Sequence, residues 1–284
     1  MLRRLLVPLA ITLVTPALGC SGTVSTEAAA AATPEAATTR SPVAQSTHGP
    51  LKLAGDALGD VPLTTSQRAA IEKLATDTEA RHADARAARK DLVLAVAAQV
   101  QAGQIDRAAL QPKIDVLVAG LQKAQPADRA AFEQLHAILT ADQRTAFVDA
   151  MQARIGQRVG QVRDKHPLKQ WAEDLGLTED QRSQIKDAMK QQRKASAEGH
   201  DGAPWAEARE HGAKLMSAFK QDRFVMDEVS PAMDVTAKAR KMSDHMLGVA
   251  EVALPVLTAQ QRAIAAQKLR DRAEAVEDVA PGMP

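Results

Sequence analysis

The stretch Leu63-Thr64-Thr65-Ser66-Gln67-Arg68 contains a signal for the start of a helix. A Thr followed three residues later by a Gln has the spacing of a capping box. In this motif the Thr hydroxyl accepts a hydrogen bond from the third helical amide, and the Gln side chain reaches back to the amide of the Thr. Because the first four amides of a helix have no partner within it, the pattern predicts a helix that begins at Thr65. Such a cap stabilises a helix by about 1 kcal/mol.

The same pattern occurs four times in the 284 residues, and its later copies begin at Leu139, Leu177 and Leu257. Leu63 and Leu139 lie 76 residues apart and Leu177 and Leu257 lie 80 apart, so we interpret the copies as two pairs that arose by tandem duplication. Arg occupies the fourth helical position in every copy, where a hydrophobic staple needs an apolar residue. We therefore expect the leucine of each copy to be buried between helices instead. The predicted motif residues are Leu63, Thr64, Gln67, Leu139, Thr140, Gln143, Leu177, Thr178, Gln181, Leu257, Thr258 and Gln261.

Beyond residue 50 the apolar residues follow helical spacing, and no run of alternating strand residues occurs. The sequence therefore predicts an all-α protein built from two tandem units of about four helices each. We place the first unit at residues 51–164 and the second at 165–277, with a frayed tail at 278–284. The boundary is predicted at His166-Pro167, because a residue before proline is steered out of the helical conformation.

Glycines and prolines predict where the longer helices end. The helix that follows Thr64 should run to about Gln101, before Gly103. Pro126 should interrupt and bend the next helix, since proline removes one helical hydrogen bond. In the second unit, Pro231 should begin the long return helix.

Residues 1–19 have the layout of a lipoprotein signal peptide. Arg3 and Arg4 precede an apolar run, and Gly19 precedes Cys20, the only cysteine of the chain. We predict cleavage before Cys20 and lipidation of its thiol, on the periplasmic side of the outer membrane. The alternative is an ordinary signal peptide followed by an unrelated cysteine. Residues 20–50 are rich in Ala, Thr, Ser and Pro, a composition that predicts a disordered tether.

The formal net charge of +1 provides no general attraction to nucleic acid or to an anionic membrane surface. The sequence contains no nucleophile with a base, no paired carboxylates, no phosphate loop and no dinucleotide fingerprint at the required spacing. We therefore predict that the protein is not an enzyme and does not bind nucleic acid.

Three residues of the second unit are candidates for a metal site. Met242, His245 and Met246 share one face of a predicted helix at spacings of three and four residues. Thioether and imidazole ligands together suit a soft ion such as Cu(I), and zinc is a second candidate. The alternative is that no cofactor binds and that the methionines pack in a core with the histidine at its edge. Methionine is also typical of adaptable binding surfaces.

Paired LTxxQ motifs in an exported, all-helical chain resemble the Spy/CpxP family of periplasmic proteins. The resemblance covers about residues 51 to 277, taken twice. Family members usually carry one pair of motifs per chain, whereas this chain has two pairs and a predicted lipid tether. The resemblance implies elongated helical hairpins that form a curved cradle. Since single-unit members dimerise, it also implies that the two units pack together as two protomers would.

The function that the resemblance implies is that of an ATP-independent chaperone, a holdase that binds unfolded client proteins of the cell envelope. The alternative within the family is a metal-binding or stress-sensing regulator, with an envelope-stress sensor as its partner. A purely structural envelope protein is a third hypothesis. In each case contact with the membrane would be through the lipid anchor only.

Overall fold

A computed structural model describes residues 40–165, 167–197, 204–230 and 234–275, with side chains for 40–160, 169–192, 210–230 and 234–275. The predicted signal peptide, Cys20, the rest of the predicted tether as far as residue 39, His166 and the tail at 278–284 lie outside these ranges. The described residues are almost entirely helical and include no strand, which confirms the all-α prediction. The division into two tandem units and the cradle shape stay predictions.

Eleven α-helices lie in the described ranges. They are α1 Gly49–Leu58, α2 Thr65–Arg81, α3 Ala83–Ala102, α4 Arg107–Ile138, α5 Ala141–Lys165, α6 Pro167–Asp174, α7 Glu179–Ala197, α8 Pro204–Phe219, α9 Met226–Val229, α10 Val235–Ala253 and α11 Ala259–Glu274. A 3-10 turn at Leu254–Val256 joins α10 to the last motif.

The start and end of the long helices follow local capping chemistry. Gly103 ends α3 with a φ of 84°, in the left-handed region that favours glycine. Asp106 then caps α4, its carboxylate accepting a hydrogen bond of 3.0 Å from the amide of Ala109. Pro231, which was predicted to begin the return helix, lies outside the described residues, and the described helix α10 begins after Asp234. The Asp234 carboxylate accepts from the amide of Ala237 at 2.9 Å and so caps this helix.

Two predictions about helix continuity are wrong. Pro126 does not interrupt α4, which runs through it from Arg107 to Ile138. One proline removes one amide donor, and the helix is held on both sides of it by packing against α2, α3 and α10. The helix after Thr64, in contrast, is divided at His82, although the His82 amide still donates to the Thr78 carbonyl at 3.2 Å. The division is therefore a local bend between α2 and α3.

The predicted tether at 20–50 is wrong for its last residues, which pack on the folded part. Val43 is completely buried and Thr47 is nearly so. The amide of Ala44 donates to the Glu72 carboxylate of α2 at 2.9 Å. An apolar side chain and satisfied polar groups offset the entropy that ordering these residues costs.

The apolar residues form three clusters, and each cluster contains residues from both predicted units. The first surrounds Leu63 and Leu139 and also contains Phe219 from α8. The second surrounds Leu257 and also contains Ala97 from α3. The third joins α3 and α4 to α10. Its members are Leu92, Leu110, Ile114, Val118 and Leu247.

The helices of the two predicted units also contact each other directly. In the described part, α3 packs against both α4 and α11, and α10 packs against both α4 and α7. Each pair of motifs is therefore covered by the C-terminal end of a helix from the other half of the chain, α8 for the first pair and α3 for the second.

Candidate functional site

All four motif copies have the reciprocal hydrogen bonds of a capping box. In the first copy the Gln67 amide donates to the Thr64 hydroxyl at 3.2 Å, and the Thr64 amide donates to the Gln67 side-chain oxygen at 3.0 Å. The other three copies have the same two contacts at 2.9 to 3.4 Å. The motif therefore begins α2, α5, α7 and α11 in the same way.

The glutamines of the first motif pair also bond to each other, a contact that the sequence did not predict. The Gln67 side-chain nitrogen donates to the Gln143 side-chain oxygen at 2.7 Å, and the Gln143 nitrogen donates back at 2.9 Å. The second hydrogen of each nitrogen goes to the carbonyl before the partner motif. Gln67 donates to Ile138 at 2.8 Å, and Gln143 donates to Pro62 at 2.7 Å.

The second motif pair repeats this arrangement. Gln181 and Gln261 exchange hydrogen bonds of 3.0 and 3.1 Å. They also donate to the carbonyls of Val256 and Gly176 at 2.8 and 3.3 Å. Each side-chain amide thus donates twice, to its partner Gln and to a backbone carbonyl, and its oxygen accepts twice, from its own cap and from the partner. Since a carboxylate cannot donate a hydrogen bond, this set of hydrogen bonds requires Gln at the motif position, whereas a capping box alone also accepts Glu.

The leucine and arginine of each motif complete the connection between helices. Leu63, Leu139 and Leu257 are buried and Leu177 is partly buried, which agrees with the expected packing between helices. The arginine usually turns back to the leucine carbonyl, at 3.0 Å for Arg144 and 2.7 Å for Arg262. In the third copy Arg182 does so at 3.1 Å, and in the first Arg68 donates to Ser41 at 3.0 Å.

Arg144 and the aromatic residues connect the first motif pair to the loop between α8 and α9. Arg144, only 8% exposed, donates to the Asp222 carboxylate at 2.7 Å. All four phenylalanines of the chain lie in this region with the buried His136, and their ring centroids are 4.8 to 5.5 Å apart in the contacting pairs. The His136 ring also hydrogen-bonds to the carbonyl of Gln221 at 2.8 Å. The first motif pair therefore lies where four segments pack together, namely α4, α5, α8 and the loop that follows α8.

The predicted metal residues lie together on the surface of α10. Met242 is 41% exposed, Met246 is 51% exposed, and His245 is exposed as well. The alternative that these two methionines pack in a core is thus wrong, whereas Met226 is buried in the first apolar cluster. Within the described ranges no group of three His, Cys, Asp or Glu side chains could hold a metal.

Two helices of the second predicted unit, α7 and α10, carry apolar side chains that are open or partly open to solvent. Ile71 of α2 is buried, whereas Ile185, at the same place after its cap in α7, is partly exposed. Among the described side chains of α7, residues 179–192, none is buried. The exposed large apolar side chains of the described part are Leu94, Val116, Val159, Met242 and Met246.

No protein-family model, curated protein or solved structure was found to match the chain. Within the described residues, we find no helix with the length and hydropathy of a membrane span.

Proposed function

We propose that the chain is an ATP-independent holdase, which binds unfolded or stress-damaged envelope proteins and limits their aggregation. The observation that carries this proposal is the group of exposed apolar side chains on α10 and on α7, which packs against it. Met242 and Met246 of α10 are largely open to solvent, and Ile185 of α7 is partly exposed. Exposed apolar side chains near one another are typical of binding surfaces.

Binding of this kind requires no nucleotide. Burying apolar surface stabilises a complex by about 25 cal/mol for each Å² removed from water, before the entropy of association is subtracted. Because methionine is unbranched and flexible, Met242 and Met246 can adapt to unrelated apolar segments. The four LTxxQ motifs support the same function through their resemblance to the Spy/CpxP family.

We expect the protein to suppress the aggregation of a chemically unfolded test protein at a stoichiometric ratio and without ATP, as measured by light scattering. Replacing Met242 and Met246 with Gln removes apolar surface and should weaken the suppression several-fold, because each methionine contributes on the order of 1 kcal/mol. Replacing both with Leu keeps the apolar surface and should preserve the suppression.

The matched control is Val159→Gln, which removes an exposed apolar side chain of α5 instead. Suppression should persist in this variant. Absence of suppression by the unaltered chain would reject the holdase. Equal activity of the Gln and Leu variants would reject the assignment of this surface.

The holdase is proposed to act from the periplasmic side of the outer membrane, held by a lipid on Cys20, which lies outside the described residues. We expect the mature protein to sediment with the membrane fraction and Cys20→Ala to release it in soluble form, because no second acylation site replaces the only thiol. Fractionation followed by immunoblotting measures this. Recovery of the unaltered protein wholly in the soluble fraction would contradict the anchor.

A further inference from the structure

The exposed face of α10 carries three side chains with donor atoms for a soft metal ion. His245 and Met246 lie three and four residues after Met242, so both are neighbours of Met242 on the same side of the helix. Residues at these spacings have Cβ atoms about 5 to 6 Å apart. Two flexible thioethers and one imidazole at this separation can turn toward a single ion.

The backbone that carries these donors is held in place from the opposite side. Leu247 is buried in the cluster that joins α10 to α3 and α4. Arg107 of α4 contacts Asp244 at 3.1 Å and Glu251 at 2.6 Å. The three donors therefore project from a helix that is already fixed, so binding would have to order only their side chains.

The donor set contains no carboxylate, and the two acidic residues of α10 are paired with Arg107. The hydrogen bond from Arg107 lowers the pKa of Glu251, which keeps this carboxylate charged and paired with α4. Asp244 is paired with the same arginine. Two thioethers and one imidazole favour a soft monovalent ion, whereas Zn²⁺ is usually bound with anionic ligands or several imidazoles.

The repeat itself does not require these residues. The caps Thr140 and Thr258 lie 118 residues apart, and the same offset places Ala124, Ala127 and Asp128 opposite the three donors. Ala124 is buried, and Asp128 contacts the ring of His82 at 2.8 Å. The first half thus has packing and pairing residues at these positions, while the second half has soft ligands open to solvent.

We infer that Met242, His245 and Met246 form a binding site for one soft monovalent cation, Cu(I) or Ag(I), on α10. The site shares Met242 and Met246 with the proposed client surface, but it depends on their donor atoms and not on their apolar area.

The test uses the full chain with Cys20→Ser, which removes the only thiol and its competing affinity for soft metals. We titrate it with Ag(I) and follow methionines labelled with ¹³C at their methyl groups by NMR. One equivalent of Ag(I) should shift the signals of Met242 and Met246, while those of the buried Met151 and Met226 should stay in place.

Substitutions then separate this site from other binding. Replacing Met242, His245 and Met246 together with Leu should abolish the Ag(I) affinity, and His245→Ala alone should lower it at least about 10-fold, which corresponds to about 1.4 kcal/mol. Met189→Leu on α7 is the matched control and should bind as tightly as the parent chain.

Three results would overturn the inference. The first is no shift of the Met242 and Met246 signals at micromolar Ag(I). The second is Ag(I) affinity that persists in the triple Leu variant. The third is Zn²⁺ affinity equal to that for Ag(I), which would contradict a site of soft, uncharged ligands.

Discussion

Replacing Gln143 with Glu is expected to lower the free energy of unfolding by about 3 kcal/mol, although a capping box accepts either residue. The carboxylate keeps the oxygen that accepts from the Thr140 amide at 3.0 Å. It cannot donate to the Pro62 carbonyl or to the Gln67 oxygen, which lie 2.7 and 2.9 Å from the Gln143 nitrogen. Three oxygens without a hydrogen between them repel one another in a partly buried place.

Urea unfolding followed by circular dichroism measures the difference between the two chains. Gln152→Glu, on the exposed surface of the same helix, is the matched control and should change stability by less than about 0.5 kcal/mol. Thr140→Ala removes the cap but leaves the glutamine pair, and should cost about 1 kcal/mol. If Gln143→Glu is no more destabilising than the control, Gln143 serves only as a cap.

Acidification provides a second check on the same variant. Protonation of the new carboxyl restores one hydrogen-bond donor toward Pro62 or Gln67. The stability lost in Gln143→Glu should therefore be partly recovered as the pH falls, whereas the Thr140→Ala difference should change little.

The features that the sequence predicted are those that depend on a few adjacent residues. A Thr and a Gln three residues apart specify the start of α2, and Gly103 specifies the end of α3, because both signals act within one helical turn. The all-α class follows from apolar spacing along the whole chain. These predictions required no knowledge of which helices meet.

The glutamine pairs could not be deduced in this way, because their contacts join residues about 80 positions apart. A capping box explains each Gln separately and is equally satisfied by Glu. The sequence feature that could have indicated the pairs is that all four copies carry Gln and none carries Glu. That choice indicates a role for the side-chain nitrogen, which the capping box leaves without a partner.

Three of the predictions failed because tertiary packing outweighed a local preference. Val43 lies in a segment of mainly small and polar residues, yet it is completely buried in the first apolar cluster, and this burial orders the chain around it. Pro126 weakens one turn of α4, but the contacts along the rest of that long helix keep it continuous. The exposure of Met242 and Met246 likewise depends on where neighbouring helices lie, which apolar spacing on one helix does not reveal.

Replacing Phe219 with Ala is expected to lower the free energy of unfolding of the whole chain by about 4 kcal/mol. Phe219 belongs to the second half of the sequence, but its completely buried ring packs in the cluster around the first motif pair. Its centroid lies 4.8 Å from that of Phe132 and 5.4 Å from that of Phe147. Removing the ring leaves a cavity lined by residues of both halves.

Hydrogen exchange measures whether the two halves share this core. In Phe219→Ala the amides of residues 145–152 in α5 should exchange faster, although they lie about 70 positions away in the sequence. Ile185→Ala is the control. It removes a partly exposed side chain of α7 in the same half as Phe219 and should cost only about 1 kcal/mol without affecting α5. Two units that fold independently would give the opposite result, with unchanged exchange in α5 and a separate, earlier unfolding transition for the second half. Loss of protection in α5 would instead mean that α8 is part of the core that holds the first motif pair together.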